Sequence, residues 1–156
     1  MSEEFTHLDL DGDVHMVSVG SKPDTERSAT AEAVVEMDAA TADLLFSDGL
    51  TKGDALATTR LAGIMGAKRT PDLIPLCHPL MLTSVSVKIE RVDAGAQIEV
   101  TARTFGKTGV EMEAMTGACV AALTMYDMIK GIDRAAAVYQ VALLSKAGGE
   151  SGTWTR

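Results

Sequence analysis

Aromatic side chains are scarce in this 156-residue chain: one Trp, two Tyr and three Phe, 4% of the sequence. A core built with so few must be filled by Ala, Val, Leu, Ile and the nine Met, which makes it aliphatic and lets helices and strands approach closely. Cysteine is nearly absent. Cys77 and Cys119 stand in no CxxC spacing, which removes a disulfide framework and leaves two reduced thiols. The three His and two Cys never form the close pairs of a zinc site, so no metal ligands are predicted. No apolar run reaches the ~20 residues that a membrane span needs. Residues 1–10 carry Glu3, Glu4, His7 and Asp9 where a signal peptide would be apolar, so a cytoplasmic location is expected. Positive charge is in deficit as well, with 14 Lys and Arg against 22 Asp and Glu and a net charge of −8. Nucleic acids, as long polyanions, are therefore poor partners. A small anionic substrate stays compatible if cations gather locally, the candidates being Lys52, Arg60, Lys68, Arg69, Lys107, Lys130 and Lys146.

What is present reads as an ordinary globular chain, 46% apolar and 23% charged. The length suits one domain, with residues 1–24 and 147–156 expected to be mobile. Residues 25–37 place Ala29, Ala31, Ala33 and Val35 on alternate positions, the period of a strand with one covered face. Asp38 then offers an N-cap for a short helix that stops at Asp48-Gly49. A second helix is predicted over 55–68, where Leu56, Thr59, Ala62, Gly63 and Gly66 give a smooth packing side. Pro71, Pro75 and Pro79 break regular structure over 69–79. Period-two runs at 82–92 and 97–105 flank Asp93-Ala94-Gly95-Ala96 as in a hairpin. Residues 110–130 form the strongest helix, closed by Gly131, and 137–144 is a final strand. This order predicts an α+β fold of the ferredoxin-like split βαβ kind, an antiparallel sheet with helices on one face.

Asp127 and Lys130, three apart on the long helix, share a face and can serve as base and acid. Their neighbours Met125, Tyr126, Met128 and Ile129 are expected to desolvate the pair partly and lower the lysine pKa. The commoner meaning of such a pair is a surface ion bridge worth ~0–1 kcal/mol. Glu111 and Glu113 suit the start of that helix electrostatically. Glu113 returns to nearly the face of Asp127 after fourteen residues, but about 21 Å away along the axis. The two can serve one function only by gripping a large substrate or by meeting partners on another chain. His78 is held between Cys77 and Pro79 and can donate to phosphate or titrate near neutrality; His15 is a weaker candidate. Lys52 before Gly53 at a helix start could help hold phosphate, and Lys146-Ala147-Gly148-Gly149 could form an anion nest, although no P-loop signature is present.

Three blocks carry a resemblance that spans nearly the whole chain. They are Leu73-Ile74-Pro75-Leu76-Cys77-His78-Pro79-Leu80-Met81-Leu82, Gly106-Lys107-Thr108-Gly109-Val110-Glu111-Met112-Glu113-Ala114 and Tyr126-Asp127-Met128. In these the chain resembles the cyclic pyranopterin monophosphate synthases, the MoaC family of molybdenum-cofactor biosynthesis. The resemblance implies a lyase that converts 3',8-cyclo-7,8-dihydroguanosine 5'-triphosphate to cyclic pyranopterin monophosphate and pyrophosphate. It implies Asp127, Lys130 and Lys52 as the catalytic group, and Leu76, Cys77, His78, Met112 and Glu113 as substrate-binding residues. No cofactor is implied, although a divalent ion can accompany the substrate phosphates. The implied assembly is a homo-hexamer, a trimer of dimers with sites at subunit interfaces. Two positions depart from the family pattern: Glu150 stands where a lysine is frequent, and Ile129 where a cysteine is frequent. The rival readings are a non-catalytic ferredoxin-like binding module and a metal-dependent hydrolase built on His78 and nearby acids.

Overall fold

The computed structural model describes residues 11–156. Residues 1–10, part of the segment expected to be mobile, lie outside it. The order is β1 (Thr25–Glu36), α1 (Ala39–Phe46), α2 (Ala55–Lys68), α3 (Thr70–Leu73), β2 (Leu82–Val92), β3 (Gly95–Gly106), α4 (Glu111–Ile129), β4 (Ala137–Ala147) and β5 (Trp154–Thr155). The strands form one antiparallel sheet in the order β2-β3-β1-β4-β5. The first four reproduce the predicted split βαβ, with β3 inserted between β1 and β2.

Alternation on β1 decides which face is covered. Ala29, Ala31, Ala33 and Val35 are buried, as are Ile98, Val100 and Ala102 on β3. On the opposite face Thr30 bonds Thr101 and Gln97 donates to Glu32, a half-buried polar surface. The helices lie on the apolar side, where Met125 and Ile129 of α4 and Leu45 of α1 are fully buried. Small side chains permit the close approach of α2 and α4. A Cβ on Gly66 would lie 2.7 Å from Val120 Cβ, and one on Gly117 would lie 2.9 Å from Val100 Cγ1 and 3.0 Å from the Gly63 carbonyl.

Several boundaries differ from expectation for local reasons. The β2–β3 hairpin closes in two residues, Asp93-Ala94, because Gly95 takes φ +138° where a side chain would meet the Val35 carbonyl. Within the proline-rich stretch Thr70–Leu73 forms one helical turn with Pro71 near its start, a position that needs no N–H. β4 runs on past 144 to Ala147, with one register irregularity at Leu144 and another between Tyr139 and Ala142, where Gln140 takes φ 51°. Residues 147–156 contribute β5, which pairs with Ser145 and Lys146. Among the described residues no helix is long and apolar enough to cross a membrane.

Candidate active site

Asp127 sits in the last turn of α4, and Lys130 is the C-cap of the same helix. Their i,i+3 spacing brings Lys130 Nζ to 2.7 Å from Asp127 Oδ1. The third member arrives from far away in sequence. Lys52, on the turn between α1 and α2, donates to Asp127 Oδ2 at 2.6 Å and to the Asp127 carbonyl at 2.7 Å. The carbonyl is one of the last-turn acceptors that a helix cannot satisfy internally, so Lys52 also caps α4. The three predicted catalytic residues therefore form one triad, with a carboxylate clasped by two ammonium groups. It borders a cleft of about 540 Å³ whose walls are Leu44 and Gly49–Lys52 on one side and Met128, Lys130, Gly131 and Ile132 on the other.

The electrostatics correct one expectation. Apolar neighbours do not desolvate this pair: the side chains of Lys52, Asp127 and Lys130 are 49%, 52% and 52% exposed. The hydrogen bonds from Lys130 and then Lys52 pull Asp127 down to about 2, and the bond to Asp127 raises Lys130 rather than lowering it. Around neutral pH Asp127 is therefore a carboxylate and Lys130 an ammonium, a proton acceptor beside a proton donor. Lys52-Gly53 does not lie at open helix amides either. The N-cap of α2 is Asp54, whose carboxylate already accepts from the Ala57 N–H at 2.8 Å, so an acid occupies the place proposed for phosphate.

The predicted substrate-binding residues gather at the other end of α4. Glu113 is buried, 3% exposed, and its carboxyl is pushed up to about 7, chiefly by burial. It acts in turn on Cys77, whose thiol is raised by its own burial and then by Glu113, so Cys77 is a neutral thiol and not a thiolate nucleophile. His78 Nε2 lies 2.8 Å from the Val17 carbonyl, a geometry that requires the proton on Nε2. Leu76 and Met112 are half-buried, and His15 is exposed.

Near this end the structure adds cations that sequence reading named only in part. Lys22, Arg27, Lys107 and Lys146 line a small polar cavity of about 200 Å³ together with Gly148. Arg27 Nε donates to the Gly106 carbonyl, Lys107 donates to the Lys22 carbonyl, and Lys146 pairs with Glu111 at 3.2 Å. Arg27 and Lys22 are new. The alternation of β1 puts Arg27 on the same face as Ala29 and Ala31, where it is half-buried, and nothing local shows that β3 and the tail converge on it. Arg69, by contrast, pairs with Asp72 on the surface. Among the described residues no three His, Cys, Asp or Glu side chains are arranged to hold a metal ion.

With this geometry in place, comparison with known proteins is informative. The family model described as "MoaC family" matches residues 16–149. The chain belongs to the MoaC family. Curated MoaC relatives named cyclic pyranopterin monophosphate synthase agree over nearly full length. That of Corynebacterium efficiens is 52% identical over 152 residues, covering 97% of this chain and 98% of the relative. That of Corynebacterium glutamicum is 52% identical with 97% of each covered. That of Brucella ovis is 51% identical over 156 residues, 99% of this chain and 94% of the relative. This chain is thus an enzyme of the MoaC family, which functions in molybdenum-cofactor biosynthesis.

Proposed function

We propose that the chain converts 3',8-cyclo-7,8-dihydroguanosine 5'-triphosphate to cyclic pyranopterin monophosphate and pyrophosphate, at a site completed by two subunits. The observation that carries this reading is the Lys52–Asp127–Lys130 triad, built from two separate elements around an open cleft. The reaction opens one ring system, builds a pterin, closes a cyclic phosphate and expels pyrophosphate. It therefore needs several proton transfers and a stabilised leaving group. The two ammonium groups supply protons and a preorganised positive field for the growing phosphate charge. Asp127 fixes both and becomes a free acceptor when substrate phosphate draws a lysine away. Glu113, with its carboxyl near neutrality, can both give and take a proton near pH 7.

Fourteen residues of continuous helix separate Glu113 from Asp127, about 21 Å of axial rise. A second subunit would bring its His78, Cys77, Glu113 and cationic cavity up to the triad of the first. Exposed Leu61 and Met65 on α2 and Leu123 on α4 support such an assembly, since apolar surface of this kind favours burial against another chain. The assembly is a hexamer of three dimers, and its compartment is the cytoplasm. No resident cofactor takes part; a divalent ion travels with the substrate phosphates.

The test is incubation of purified protein with the cyclic triphosphate, following pyrophosphate release and the pterin chromophore. Stoichiometric appearance of both is expected. Binding without turnover by folded, assembled protein would replace this reading with that of a binding module.

A further inference from the structure

Asp133 belongs to neither end of the site as described, yet it is 5% exposed, and among the described residues no cation pairs with it. Removing a carboxyl group from water in this way is costly unless every acceptor is used. Its two oxygens are both committed to main-chain donors. Oδ2 accepts from the Asp38 N–H at 2.9 Å, 95 residues away, and Oδ1 accepts from the Ala136 N–H at 3.1 Å.

The positions of these donors give the group its meaning. Asp38 is the N-cap of α1, the helix that leads through Leu44 to the turn carrying Lys52. Asp133 itself ends the turn Lys130-Gly131-Ile132, held to α4 by the Ile132 and Asp133 N–H groups donating to the Ile129 carbonyl. The same carboxylate thus ties together the two chain segments that form opposite walls of the triad cleft. Resting on the function proposed above, we propose that Asp133 is a positioning residue for the reaction. Its carboxylate keeps the two walls in register so that Lys52 and Lys130 reach Asp127 together. It touches no reacting group. An acid is needed because an amide offers only one acceptor oxygen, so Asp133→Asn must turn an N–H toward one of the two main-chain donors.

The clamp can also be cut from its far side. Asp38 has φ −61°, the value that proline adopts, and its side chain makes no cap bond. Asp38→Pro therefore removes the N–H and little else. Both variants would be assayed with the cyclic triphosphate, and their lysines compared by trace acetylation and peptide mass spectrometry. In both, kcat falls at least about tenfold while KM moves less than about threefold, the cost of a misplaced catalytic group. Lys52 and Lys130 gain acetylation severalfold relative to exposed Lys68, because an amine released from Asp127 is the better nucleophile. If Asp133→Asn fails to fold, Asp38→Pro carries the test. Unchanged kcat and unchanged lysine ratios in folded variants would overturn the proposal, as would a uniform rise at all three lysines, which marks general loosening. A wild-type protein that does not turn over the substrate would refute the proposed function instead, while the lysine ratios would still decide whether the clamp exists.

Discussion

Glu113 is the most deeply buried charged side chain among the described residues, 3% exposed. Its folded carboxyl holds a proton to about 7, against an ordinary value of 4.5. The folded state then binds more protons than the unfolded state between those pH values, so stability falls as pH rises through the window and levels above it. Glu113→Gln has no charge to bury. Its urea-unfolding free energy should match wild type near pH 4 and exceed it by ~2–3 kcal/mol at pH 8, while turnover drops. Identical pH dependence in the two proteins would show that the carboxyl is not desolvated. At the triad the opposite behaviour is expected, because these groups are half in water. Asp127→Asn, Lys130→Ala and Lys52→Ala should each lower kcat by at least ~100-fold with little change in melting temperature. A variant at wild-type rate would remove that residue from the mechanism. Asp127 and Lys130 were readable from helical spacing, and their roles from the family resemblance. Lys52 joined them through the same resemblance, while its hydrogen bond to that carboxylate, across 75 residues, shows in no local pattern. The predicted desolvation failed because the apolar neighbours of Asp127 turn toward the core: Met125 and Ile129 are fully buried and leave Asp127 outside.

At the scale of elements, the contact between α2 and α4 depends on glycine. Gly66 lies against Val120 so closely that an added methyl would fall 2.7 Å from the branch carbon, which cannot rotate away. Gly66→Ala gains up to ~1 kcal/mol in helix propensity but loses ~1–3 kcal/mol to overpacking. Net destabilisation is expected in urea titration; a stabilised variant would show that the helices separate freely. The small-residue side of α2 was legible because Gly63 and Gly66 have a helical spacing that needs only the 3.6-residue period. The long strands were legible from their period of two, and α4 from its run of helix-favouring residues. β5 was not, because Trp154-Thr155 is too short to show a period and gains its hydrogen bonds only from β4. The tight β2–β3 turn was also missed by two residues, since Ala96 pairs with Val35 and Arg91 rather than standing in the loop.

At the scale of the whole molecule, one continuous helix carries the two halves of the site at opposite ends. The stiffness of α4 means that no movement within a chain brings Glu113 to its own Asp127. A net charge of −8 is compatible with a triphosphate substrate because cations meet locally: Lys52 and Lys130 line the cleft at one end, and Lys22, Arg27, Lys107 and Lys146 line the cavity at the other. The central claim, that each site takes its triad from one subunit and its Glu113 end from another, is tested most directly by mixing two inactive proteins. Asp127→Asn and Glu113→Gln subunits carrying different tags would be co-refolded, the hybrids purified by both tags and turnover measured. A hybrid dimer contains one intact site, so an unselected equal mixture should recover about one quarter of wild-type activity and isolated hybrid dimers about one half. Hybrids of confirmed composition that remain as inactive as their parents would contradict the account.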